Sequence, residues 1–463
     1  MLEHSPPDGY RAETRLIHGK MRSRHWQYQQ HLVPPISAST SYRLGSSRRG
    51  AEGFQEFANP EFNREDHPPI YIYDRLDEPS RGMLEENLAL AEGGESCVTF
   101  STGMAAISAA LGVLLKAGDT VVAHRTLYGC TYSLLTRWFP RLGIHVEFAD
   151  LNDLERLDAI LERRPNVMAI YGETPCNPNL ELIDLDGLAA RVRAFNATRP
   201  PRRRIFTVID NTFATPFCQR PIAHGIDLVV HSLTKNIGGF GTDMGGAVIG
   251  PALLEPDLLL YRKDFGCVLA PRSAWDILVH GLPTLALRSR RQMETAQRVA
   301  EFLETHPTVR RVAYPGLESF PQKELAQVLM RDFEGRFAPG TMLYFQLEDA
   351  GLSGNPVSAR TRGGDFMDIL ARQALTITLA VSLGQVRTLI EHPASMTHST
   401  VPEEAQAAAG VDPGGIRLSI GLEHPDDIIA DLERAFAALG RQDENSISTP
   451  CAEPSSARTA LAS

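Results

Sequence analysis

The chain has 463 residues, 43% of them hydrophobic and 22% charged, with a net charge of −10. That length suits roughly three domain-sized units and a core that needs no staples, and the acidic balance argues against nucleic acid as a partner. Six cysteines without a CxxC pair frame neither a disulfide scaffold nor a zinc site, and no apolar run reaches a membrane span.

Residues 1 to about 30 are polar and aromatic without clear periodicity, and lack the basic-then-apolar pattern of a signal peptide. A reducing cytoplasm is the expected location. Pro34 to Tyr42 reads as an extended segment held by proline. Leu44 to Pro69, rich in Gly, Arg, Glu and Asn, reads as a long loop or insertion. Met83 to Glu92 has helical spacing. Ser96 to Phe100 reads as a strand, and Ser101-Thr102-Gly103-Met104 opens a helix through Leu115. Small residues between a strand and a helix N-terminus can form an anion site or simply an ordinary tight βα turn.

Strand and helix signals then alternate. Thr120 to Ala123, Val146 to Phe148, Val167 to Tyr171, Ile205 to Ile209 and Ile226 to Val230 read as strands. Leu154 to Glu162 and Leu188 to Phe195 read as helices between them. This βαβα rhythm predicts an α/β fold with a mostly parallel sheet covered by helices. After Pro271 the pattern changes to a long helical stretch, Ala274 to Thr305, interrupted at Pro283. Strand-like pieces at Met342 to Leu347, Leu375 to Val381 and Ile416 to Ile420 follow, then a helix from about Asp426 to Leu439. The expected division is an N-terminal arm over 1–75, a large domain over 76–270, a smaller α+β domain over 271–440 and a disordered tail over 441–463.

The chemistry collects at two strand ends. His231-Ser232-Leu233-Thr234-Lys235 leads into a glycine-rich stretch where backbone can approach a ligand closely. Burial lowers a lysine's pKa, which is useful when the amine must attack an aldehyde. Taken alone, Lys235 is more simply a surface lysine after a strand. The preceding strand, however, ends in Asp210-Asn211-Thr212. An aspartate and a lysine on the carboxyl edge of one sheet suit pyridoxal phosphate, the lysine taking the aldehyde and the carboxylate holding the pyridinium nitrogen protonated.

A longer ordered set accompanies them: Tyr73-Asp74-Arg75, Leu127-Tyr128-Gly129, Glu173-Thr174-Pro175 with Asn177-Pro178, Val381-Ser382-Leu383-Gly384, His392 to His398, and Arg417-Leu418-Ser419. Over about residues 12 to 440 the sequence resembles the Cys/Met-metabolism, or trans-sulfuration, family of fold-type-I pyridoxal-phosphate enzymes. The resemblance implies that Lys235 carries the cofactor and Asp210 pairs its ring nitrogen. It implies further that Gly103, Met104, Ser232 and Thr234 hold the phosphate, with Tyr73 and Arg75 reaching in from a neighbouring subunit. Tyr128 would stack on the ring, with Thr212 beside it, and Arg417 with Ser382 would grip the substrate carboxylate, near Asn177 and Glu173. His392 and His398 read as loop or cap histidines, and no metal is implied. Where the family has Asn-Pro-Thr, this chain has Glu78-Pro79-Ser80.

Three positions bear on the substrate. Cys130 reads either as a small buried filler or, by resemblance, as the cysteine of the methionine γ-lyase branch, and Lys263-Asp264 resembles the Lys-Asp pair that branch places near it. Val381 stands where cystathionine-handling members carry glutamate. The implied reaction is α,γ-elimination on L-methionine, giving methanethiol, 2-oxobutanoate and ammonia, with Lys235 moving protons and Tyr128 serving as general acid with a pKa that the cationic groups of an occupied site would help depress. Cystathionine γ-synthase, cystathionine γ-lyase and O-acetylhomoserine sulfhydrylase chemistry are the alternatives, and a catalytically idle assembly or regulatory homologue is the remote one. The resemblance also implies a homotetramer built from two dimers, with no nucleic-acid or membrane partner.

Overall fold

The computed structural model describes residues 9–18, 31–61, 69–348, 356–399 and 401–448. A seven-stranded sheet runs in the order β1-β7-β6-β5-β4-β2-β3. Its strands are β1 Ser96–Phe100, β2 Thr120–His124, β3 His145–Ala149, β4 Val167–Glu173, β5 Phe206–Asp210, β6 Leu228–Ser232 and β7 Gly246–Gly250. Strands β2 to β6 pair in parallel, and β7 lies antiparallel between β1 and β6. Both faces are covered by helices, so β2 and β7 are buried along their whole length. This is the α/β architecture of fold-type-I pyridoxal-phosphate enzymes.

Strand β7 is absent from the sequence reading because only Ala247, Val248 and Ile249 separate its terminal glycines. Those glycines have a reason. A Cβ on Gly246 would lie 2.1 Å from the Thr102 carbonyl oxygen, so the strand can pass that turn only without a side chain.

A second sheet of five strands follows in the order β10-β11-β12-β9-β8. They are β8 Val309–Ala313, β9 Met342–Leu347, β10 Ile377–Leu379, β11 Thr388–Glu391 and β12 Gly415–Ser419. Phe366 packs edge-on against Phe345 at 6.3 Å and stacks on Phe436 at 4.8 Å, joining this sheet to the helices Pro356–Gln373 and Pro425–Ser448. Helical backbone from Pro271 to Thr305 connects the two sheets. It is continuous because Ile277–Gly281 widens into a π-turn and Pro283 falls in the first turn of Leu282–Thr305, where no amide is needed.

Several local expectations are corrected. The segment Leu44 to Pro69 is not all loop: Ser47–Glu56 is a helix, with the Ser46 side chain accepting from the Arg49 amide. Ala12–His18 is also helical, and the closing helix runs on to Ser448 rather than giving way to a tail at 441. The remainder of the expected tail lies outside the described residues. Glu78 explains the departure at Glu78-Pro79-Ser80. It caps the helix Pro79–Glu92, its carboxylate accepting from the amides of Ser80 and Arg81, while burial raises its pKa to about 7.

Candidate active site

Strand register builds the site floor. Glu173 of β4 lies beside Asp210 of β5, and Asp210 beside Val230 of β6, so consecutive carboxyl ends present Glu173, Asp210 and Ser232 on one edge. Lys235 follows in a tight turn closed by Leu233 N to Gly245 O at 2.9 Å and Gly239 N to Lys235 O at 2.8 Å. Its ammonium donates to Ser382 Oγ at 2.8 Å. Burial, helped by the nearby Arg417 cation and opposed by Glu391, lowers the Lys235 pKa to about 8. Ser382 holds φ at 97°, a left-handed conformation unusual for a residue with a side chain, and its surroundings fix its hydroxyl toward the lysine.

Burial raises the pKa of Asp210, against hydrogen bonds from Thr212, whose amide lies 2.9 Å from Oδ1. Glu173 is raised further, first by burial and then by Asp210, and both its oxygens accept from the Tyr128 amide at 3.0 Å. Glu173 therefore fixes the Tyr128 backbone from below. The Thr212 hydroxyl accepts from the Ser232 amide at 2.8 Å, which ties the β5 and β6 ends together.

At the other end of this edge, the helix Gly103–Leu114 starts beneath a Thr102 cap, whose side chain accepts from Ala105 N at 3.0 Å. The first-turn amides of Gly103 and Met104 have no intrahelical acceptor. A Cβ at Gly103 would sit 2.7 Å from Ser232 Cβ, so only glycine lets the helix start meet that hydroxyl residue. The result is a cradle of amides and a hydroxyl suited to a phosphate. Thr234 is placed differently: its hydroxyl both donates to Gly245 O at 3.4 Å and accepts from Gly245 N at 3.1 Å, closing the loop. A buried carboxylate, a lysine of lowered pKa and this cradle on one edge fit pyridoxal phosphate.

Within the chain itself, Tyr128 is perturbed in the direction opposite to the one implied for an occupied site. Its pKa is raised, not depressed, by burial first and by the Cys130 thiol, which lies 3.4 Å from the phenol oxygen, with Glu391 and Glu173 adding to the effect. The phenol holds its proton. His398 bonds the Leu127 carbonyl of the same turn at 3.2 Å, and His392 bonds Ser395 and the Pro413 carbonyl.

Arg417 of β12 is enclosed. It donates from Nη1 to Asn177 Oδ1 at 2.9 Å and from Nη2 to the Ser382 carbonyl at 3.0 Å, and it pairs with Glu391 at 2.9 Å. Tyr73, Arg75, Lys263 and Asp264 form a separate group. Arg75 lies over the Tyr73 ring at 5.6 Å and donates to the Lys263 carbonyl at 2.8 Å, and Lys263 pairs with Asp264 at 2.7 Å. Among the described residues of the chain, no hydrogen bond or ion pair links Lys263 or Asp264 to Cys130.

Two devices escape a sequence reading. Glu391 follows an apolar run and looks like an ordinary strand-end charge. Arg288, mid-helix, donates to the carbonyls of Asn236, Ile237 and Gly281 and clamps the turn after Lys235. A titratable cluster at His124, Asp150 and Glu181 has its cation position taken by Arg125, which pairs with both carboxylates.

Residues 13–437 match the family model described as Cys/Met metabolism PLP-dependent enzyme. The chain is 40% identical over 410 residues to an L-methionine gamma-lyase of Fusobacterium nucleatum subsp. polymorphum, covering 88% of this chain and 94% of that one. It is 38% identical over 370 residues to a cystathionine beta-lyase of Lactococcus lactis subsp. cremoris, covering 80% and 89%. The crystal structure of a cystathionine gamma-lyase from Lactobacillus plantarum complexed with L-serine superposes with a TM-score of 0.78 at 30% identity, over 93% of this chain and 100% of that one. A match of this extent in sequence and in fold makes the chain a member of the pyridoxal-phosphate-dependent Cys/Met metabolism family.

Proposed function

We propose that the protein catalyses α,γ-elimination on L-methionine, with water converting the amino acid to methanethiol, 2-oxobutanoate and ammonia. The observation that carries this reading is the double role of Ser382: its hydroxyl accepts from Lys235 and its carbonyl from Arg417. An amino acid whose carboxylate meets Arg417 thereby has its Cα beside the lysine amine. Pyridoxal phosphate, when bound, supplies an electron sink conjugated to Cα. Lys235 Nζ, near neutrality in its proton affinity, would take the proton at Cα, give it up to the bound electron sink, and only then take one at Cβ. Tyr128, kept protonated by its surroundings, gives its phenolic proton to the departing γ-sulfur. Ser232 and the first-turn amides of Gly103 and Met104 would hold the phosphate, and Asp210 the ring nitrogen.

Methionine is favoured over cystathionine by Val381, which is 59% exposed beside Ser382 and offers no charge to a distal ammonium. Val381→Glu is expected to shift the ratio of kcat/KM values toward cystathionine by about tenfold or more. An unchanged ratio would remove Val381 from the selection of substrate.

Tyr73 is 43% exposed, and Arg75 is bonded to the Lys263 carbonyl. These features support an assembly in which Tyr73 and Arg75 complete a neighbour's phosphate site and Lys263 and Asp264 approach a neighbour's Cys130, in a tetramer of two such dimers. Arg75→Ala is expected to weaken cofactor retention. Mixing it with Lys235→Ala should restore about a quarter of wild-type activity, since half the dimers are hybrids with one intact site each. Absence of recovery in verified hybrids would contradict the shared site.

A further inference from the structure

Arg417 already has partners for any incoming carboxylate to compete with. The register of β11 with β12 sets Glu391 directly opposite it, and the two are only 1% and 2% exposed. Nη2 holds both Glu391 Oε1 and the Ser382 carbonyl, and Nη1 holds Asn177. Thr397 also donates to Glu391 Oε1, at 2.8 Å, whereas Oε2 has no hydrogen-bond partner among the described residues. An unpartnered oxygen on a buried carboxylate is costly, which reduces what the pair contributes to stability. One other cation lies near the pair, the Lys235 ammonium, whose pKa Arg417 lowers and Glu391 raises. Burial lowers the His398 pKa to about 4, so that ring is neutral at neutral pH, and the Lys235 ammonium is already held by Ser382.

We infer that Glu391 is a positioning counter-charge that competes with the substrate carboxylate for Arg417 and so sets how weakly amino acids and their oxo-acid products are held. This rests on the reading of Arg417 as the carboxylate site. A bound amino acid places two anions around one buried cation, and each weakens the other's hold. The same competition helps 2-oxobutanoate leave, because it too carries a carboxylate. Glutamine at 391 can keep the oxygen that Arg417 and Thr397 share, while it removes the charge and puts an amide nitrogen in place of Oε2.

The test uses two ligands without a γ-leaving group, norleucine and pentylamine, which differ only by the carboxylate. Each is titrated into wild-type, Glu391→Gln and Arg417→Lys holoenzyme, with the dissociation constant read from the visible cofactor band. Glu391→Gln should tighten norleucine by about fivefold or more and leave pentylamine unchanged. An unchanged or weaker norleucine constant would show that Glu391 merely holds Arg417 in place, and equal tightening of both ligands would show that it acts on the amine. Either result overturns the inference. The wild-type enzyme gives a check that needs no variant: norleucine should bind less than about tenfold tighter than pentylamine, and a gap of several hundredfold would equally overturn it. Failure of the underlying reading shows separately, as an Arg417→Lys enzyme that binds norleucine like the wild type.

Discussion

Lys235→Ala is expected to lower turnover on any amino-acid substrate by on the order of a thousandfold or more. The loss removes both the amine that takes the cofactor aldehyde and the group that moves protons at Cα and Cβ. The phosphate cradle at Gly103 and Ser232 and the Asp210 carboxylate are untouched by the change, so pyridoxal phosphate should still bind, but reversibly. Borohydride should fix the cofactor irreversibly on wild-type protein, with the label at Lys235, and should leave it removable by dialysis from the variant. Substantial turnover in Lys235→Ala, or a label at another lysine, would remove the centre of this mechanism.

Tyr128→Phe should have the second largest effect, a fall in elimination of about 10² to 10³-fold. The geometry makes the change clean, because Glu173 holds Tyr128 by its backbone amide and the phenylalanine keeps those bonds. Only the contact with Cys130 and the dissociable proton are lost. Exchange of the substrate's Cα hydrogen with deuterium from solvent should persist, since that proton moves through Lys235. If exchange and elimination fall together by the same factor, Tyr128 shapes the site rather than protonating the leaving group.

Much of this was legible in the residues because the parallel strands announce themselves as short apolar runs and place their ends on one edge. Asp210 and Lys235 could be paired from sequence for that reason, and the Ser101 to Met104 turn recognised as a possible anion site. Partners brought together across the chain were not legible. Glu391 reaches Arg417 only through the β11–β12 register, and Arg288 meets the Lys235 turn from a helix 52 residues further on. Nor does composition report sign when burial competes with charge. Cations near Tyr128 suggest a depressed pKa, whereas enclosure and the neighbouring thiol and carboxylates raise it. The helix Ser47–Glu56 was hidden because its glycines and arginines read as loop; only its Ser46 cap signals a start.

The central claim is most directly tested by quantifying 2-oxobutanoate and methanethiol released by the purified holoenzyme from L-methionine. L-cystathionine, L-cysteine and O-acetylhomoserine with a thiol are measured in parallel. Equimolar 2-oxobutanoate and methanethiol from methionine, at a kcat/KM above that for the other three, is the expected result. No 2-oxobutanoate from methionine alongside rapid processing of cystathionine or acylated homoserine would contradict the proposed reaction.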